Sequence, residues 1–80
     1  MAREAAKVKV YSVKRRFGKN VTIVEGVQEG GKELAKKLKT KLAAGGTLKE
    51  GKIEIQGEHV AKVKKILLDS GFTEDQIEVG

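Results

Sequence analysis

Residues 15–20 read Arg-Arg-Phe-Gly-Lys-Asn, and this short stretch holds the densest chemistry in the chain. Guanidinium and ammonium groups pair with phosphate oxygens, and exposed aromatic rings stack on unpaired bases. A turn has a use for Gly18 and Asn20, but it needs neither two arginines nor a phenylalanine. Arg15, Arg16, Phe17, Gly18, Lys19 and Asn20 are therefore the first candidates for contact with RNA. The competing reading folds Phe17 back over the core, in a chain whose only other aromatics are Tyr11 and Phe72.

Other chemistries have less to build on. Residues 26–32, Gly-Val-Gln-Glu-Gly-Gly-Lys, match the spacing of a phosphate-binding loop. The next residue is Glu33, where a Ser or Thr hydroxyl would hold magnesium, and a carboxylate there repels phosphate. The stretch reads as a glycine-rich turn, and nucleotide hydrolysis is not expected. The chain has no cysteine and one histidine, His59, so neither a thiolate nucleophile nor a histidine-based zinc site forms within one chain. Glu58 adjoins His59, but neighbours in sequence diverge on a helix. No carboxylate pair has a reason to split its pKa values. No catalytic residue, metal or other cofactor, and no small-molecule substrate, is expected. The protein reads as a binding module rather than an enzyme.

Charge supports a polyanionic partner. The net value is +6 over 80 residues, and residues 1–20 carry seven Lys/Arg against Glu4 alone. The remaining sixty residues are thus neutral overall. A basic excess gathered on one part of a fold points to nucleic acid, although a general solubilising excess also occurs in thermophile proteins. No apolar run approaches the roughly 20 residues that cross a bilayer, and no signal peptide is recognisable. A cytoplasmic protein without a membrane partner is expected.

The elements that must carry these side chains follow from periodicity. Residues 1–6 read as a tail or tag-like leftover and 7–80 as one domain. Residues 8–15, with Val8, Val10, Tyr11 and Val13, read as a strand. Residues 21–25 read as its hairpin partner, which places residues 15–20 at the tip. Residues 31–44 read as a helix, because Leu34, Leu38 and Leu42 recur every fourth residue. Lysines cover the rest of its circumference, and Gly45-Gly46 are expected to stop it. A second hairpin spans 47–50 and 52–56 around Glu50-Gly51. A second helix spans 59–70, closed by Gly71 with Phe72 packing back on Leu67. A last strand covers 76–79. The fold class is α+β, a two-layer sandwich in ββαββαβ order, with one mixed sheet carrying two helices on one face.

Three stretches in this order resemble the translation initiation factor 1 family, in its archaeal and eukaryotic forms and its bacterial stand-alone relatives. They are KRRFGKNVTIVEGV at 14–27, KELAKKLKTKLAAGGT at 32–47 and GKIEIQGEHVAKVKKIL at 51–67, and GFTEDQIEV at 71–79 is archaeal in style. The likeness runs from Val8 to Val79. It implies binding of small ribosomal subunit RNA near the decoding site, next to the initiator tRNA complex, in support of start-codon fidelity. It places the main RNA contact on Arg15, Arg16, Gly18, Lys19 and Asn20, with Lys32, Lys36 and Lys39 of the first helix as a second contact region. A monomer is expected.

The chain departs from the family pattern in a short VQEGG link, in Ala44 where cysteine is common and in Val60 where arginine is favoured. With the missing proline and the lone Met1, these departures also fit a redesigned or simplified scaffold of the same fold, with a protein-binding or purely structural role. An exposed apolar patch on the open sheet face would favour that alternative.

Overall fold

The computed structural model describes residues 7–15, 18–27 and 30–80. Five strands and two helices follow in the expected order. Strand β1 covers Val8–Lys14 and β2 covers Asn20–Glu25. Helix α1 covers Gly31–Leu42, β3 Gly46–Lys49 and β4 Lys52–Gln56. Helix α2 covers Val60–Asp69 and β5 Ile77–Val79, entered through a 3-10 turn at Glu74–Gln76. The strands form one mixed sheet in the order β3-β4-β2-β1-β5. Only the β1–β5 pair is parallel.

Alternation decides which side of each strand is buried. Val8 and Val10 of β1, Val24 of β2, Ile53 and Ile55 of β4 and Ile77 of β5 point to one face. There they meet Leu34, Ala35 and Leu38 of α1 and Val63, Ile66 and Leu67 of α2 in a single core. Helix α1 lies over β3 and β4, and α2 lies over β1 and β5. Both helices therefore cover one face of the sheet. Leu38 and Leu67 are completely buried, and truncating such a leucine to alanine costs about 2–5 kcal/mol.

Both helix ends show how the chain stops. After α2, Phe72 N–H donates to the Leu67 carbonyl at 3.1 Å and Gly71 N–H to the Leu68 carbonyl at 3.2 Å. This is the paired bonding of a Schellman stop, and half-buried Phe72 packs against the core. Helix α1 ends two residues earlier than expected and not on glycine. Ala43 itself takes the left-handed conformation, at φ 52°. The Gly45-Gly46 pair serves β3 instead, because a side chain on Gly46 would collide with the Glu54 carbonyl oxygen of β4. Glu50 and Gly51, at φ 51° and 80°, link β3 to β4 through two left-handed residues, the backbone that matches strand twist in a tight hairpin.

The glycine-rich stretch before α1 does not sit in the framework of a nucleotide-binding loop. Strand β2, which precedes it, is antiparallel to both of its neighbours, whereas such loops grow from parallel sheets. Gln28 and Glu29 of that stretch lie outside the described residues, as do the expected tail at 1–6, Arg16 and Phe17.

Candidate nucleic-acid interface

The β1–β2 ladder runs from Lys9↔Glu25 to Lys14↔Asn20. It is closed by the Arg15 N–H donating to the Lys19 carbonyl at 2.6 Å. Gly18, at φ 71° with open space around it, makes the reversal between them. Neighbouring strands do not follow the hairpin to its end. Strand β4 pairs only as far as Val21, through Gln56, and β5 pairs only with Val8–Val10. Arg15, Gly18 and Lys19 thus project beyond the sheet and are exposed.

A groove opens where the hairpin leaves the sheet, lined by Arg15, Lys19, Asn20, Val21, Gln56 and Gly57. Its second wall is the turn from β4 into α2. Gly57 N–H donates to the Asn20 carbonyl at 2.9 Å. Thr22 is fully buried, and its hydroxyl donates to the Gly57 carbonyl at 2.7 Å while accepting the His59 N–H at 2.8 Å. His59 Nε2 lies 2.9 Å from the Gln56 carbonyl. One hydroxyl on β2 therefore satisfies two backbone groups of the turn and binds it to the hairpin's root. His59 occupies the N-cap position of α2 without a side-chain capping bond. Its ring braces the turn instead.

Electrostatically the groove is a donor site. Arg15 and Lys19 bring full positive charges and Asn20 and Gln56 bring side-chain amides. Glu54 lies beside the groove, its Oε2 3.4 Å from Arg15 Nη2. Among the described residues there is no cluster of His, Asp and Glu able to hold a metal ion, and no helix is long and apolar enough to cross a membrane.

The structure brings Arg15, Gly18, Lys19 and Asn20 together at one end of the sheet. Lys32, Lys36 and Lys39 do not join them. Their spacing puts them along one flank of α1, opposite the flank from which Lys37 donates to Ser70 Oγ at the end of α2. They form a line over the β3 edge, starting at the end of the sheet away from the hairpin. Sequence reasoning missed Gln56, Gly57 and Thr22. The glycine after an alternating strand was the one local signal, and the partners of Thr22 lie 35 and 37 residues away.

The face of the sheet away from the helices is mixed. Towards the hairpin it carries Val13 and Val21, both half-buried, and Ile23, which is 3% exposed. Elsewhere it carries Lys9, Glu25, Lys52 and Glu54, together with Tyr11, whose hydroxyl donates to Glu25 Oε2 at 2.7 Å. The large apolar side chains exposed among the described residues, Leu48 and Val79, have the register of the helix-covered face. Among the described residues the open face therefore lacks the exposed apolar patch that a protein-binding scaffold would need.

Comparison with known proteins gives a consistent result. The family profile described as translation initiation factor SUI1 matches residues 4–73. The chain is 56% identical over 82 residues to the protein translation factor SUI1 homolog of Methanosphaera stadtmanae, covering 99% of this chain and 81% of that protein. It is 54% identical over 82 residues to the homolog of Methanothermobacter thermautotrophicus, with the same coverage. It is 50% identical over 80 residues to that of Pyrococcus abyssi, covering 96% and 82%. These matches lend no support to a redesigned scaffold.

Proposed function

Because this chain belongs to the translation initiation factor SUI1 family, a family that acts in translation initiation without catalysing a reaction, we propose that it binds small ribosomal subunit RNA through the β1–β2 hairpin and supports start-codon selection beside the initiator tRNA. The observation that carries this reading is the projection of Arg15 and Lys19 beyond both neighbouring strands. Cations at the end of an unsupported hairpin can enter a recess in folded RNA that a flat sheet cannot, and phosphate contacts made there fix position without reading sequence. Arg16 and Phe17, between them in the chain, belong to the same proposed contact. Lys32, Lys36 and Lys39 form a second, separate strip for backbone contact.

The mechanism is occupancy. A domain that binds the open complex better than the committed one shifts the balance towards the open form until correct codon pairing displaces it. The whole described chain is one such cytoplasmic domain acting as a monomer.

The test is binding to archaeal small ribosomal subunits across a salt series, comparing the parent with a triple Arg15→Ala, Arg16→Ala, Lys19→Ala variant. The parent is expected to weaken steeply with salt. The variant's log–log slope is expected to be shallower by about 0.9 for every phosphate that it no longer neutralises. Absent or salt-indifferent binding by the folded parent would sink the proposal.

A further inference from the structure

The groove at the hairpin root does not end at Gln56. A second hollow, lined by Val21, Gly46, Thr47, Glu54 and Gln56, continues it across β4 towards β3. The two hollows share Val21 and Gln56. The Arg15–Glu54 pair spans their junction, with Arg15 in the first and Glu54 in the second. The result is a channel with cations at one end, an apolar floor at Val21, and a rim of oxygen acceptors at the other end. The Gln56 amide has no intramolecular hydrogen bond among the described residues, and its Oε1 faces the space beside Gly45.

From this layout we infer that the channel holds one unpaired RNA base, extruded from the strand whose phosphate sits on Arg15 and Lys19. The inference rests on the RNA-binding reading of the hairpin and deepens it. A nucleotide matches the order of groups along the channel: phosphate against the two cations, base over Val21, and the base edge towards Gln56 and Glu54. Single-stranded bases are read on their edges once unstacked. When phosphate draws Arg15 away from Glu54, the freed carboxylate and the Gln56 Oε1 both accept hydrogen bonds. They suit bases with an exocyclic amine, which adenine, cytosine and guanine have and uracil lacks. An arginine released in this way also offers its guanidinium plane for stacking.

The experiment uses the full chain and short RNA stems that are fully paired or carry a single bulged A, C, G or U. Affinity is read by fluorescence anisotropy at fixed salt and again over a salt series. Stems with bulged A, C or G are expected to bind about ten-fold tighter than the paired stem, the scale of one base-edge hydrogen bond to a charged acceptor, with bulged U well behind. Gln56→Ala, at an exposed strand position, is expected to narrow the gap between amine-bearing bases and U while leaving the salt slope unchanged. A double Arg15→Ala, Lys19→Ala variant is expected to weaken every stem and flatten the slope. Equal affinity for bulged and paired stems, with a normal salt slope, would overturn the base pocket and leave the hairpin contact standing. Unchanged base preference in Gln56→Ala would overturn the assigned reading edge. Loss of salt-dependent binding to all stems would overturn the pocket and the hairpin contact together.

Discussion

Arg15 and Glu54 lie 39 residues apart in the chain, yet Arg15 Nη2 reaches to 3.4 Å from Glu54 Oε2 across the width of β2. Both side chains are substantially solvated, at 49% and 34% exposure. A pair this exposed contributes at most about 1 kcal/mol to stability. Its larger effect is on the availability of Arg15, because the same guanidinium cannot hold Glu54 and a phosphate at full strength.

Glu54→Gln is accordingly expected to tighten binding to paired RNA rather than weaken it. Release from a pair of this size corresponds to about a two- to five-fold lower Kd. The melting temperature should change little. Anisotropy titrations of the parent and the variant at low salt provide the check, and a weaker variant would mean that Glu54 itself faces the RNA productively.

Thr22 is expected to matter beyond its size. Thr22→Val keeps the shape and removes the hydroxyl that joins the Gly57 carbonyl to the His59 N–H. Two backbone groups then go unsatisfied, at a cost of about 1–3 kcal/mol, or about 4–8 °C in melting temperature per kcal/mol for a domain of this size. Thr22→Ser should recover most of the loss. Thermal melts of the three proteins measure it, and equal stability of the Val and Ser variants would mean that the turn holds without the hydroxyl.

Tyr11 supplies an optical probe of the open sheet face, since it is the chain's one tyrosine and there is no tryptophan. Its hydroxyl is raised above the ordinary value of 10.0, first by the hydrogen bond to Glu25, then by burial and by the charges of Glu25 and Glu54. The neutral phenol is thus favoured by folding. Its contribution to stability is complete below pH 10.0 and fades as pH rises through the higher folded value. Phenolate absorbance should develop above pH 10.0 in the folded parent. In Glu25→Gln it should develop closer to that value. Titration at the ordinary value in both proteins would contradict the bond.

Much of this architecture is legible because alternation and helical period speak locally. Val8 and Val10 alternate with Lys9, and the Leu34 and Leu38 stripe marks the buried side of α1 by itself. Ile23-Val24 is different. Two adjacent apolar residues on a strand must face opposite ways, and nothing nearby says that Val24 takes the core and Ile23 the open face. The stop of α1 misleads for a related reason: Gly45-Gly46 look like helix punctuation, but the demand for a missing side chain comes from Glu54 on another strand. Within the binding site, Arg15, Lys19 and Asn20 stand out by residue type. Gln56, Gly57 and Thr22 do not, because their roles exist only once β2 and β4 are side by side.

The hairpin is fastened unevenly along its length. Its root is clamped between β4 and β5, while beyond Val13 and Val21 the described residues have their own rungs, Lys14↔Asn20 and the Arg15–Lys19 bond, and are tied outward only by the Gly57 N–H on the Asn20 carbonyl and the exposed Arg15–Glu54 pair. Mechanically this is a cantilever, whose free end deflects most for the least energy. Amide hydrogen exchange should therefore quicken progressively from Val24 towards Lys19. The arm can bend to follow the contour of its target while the core beneath the helices stays unmoved.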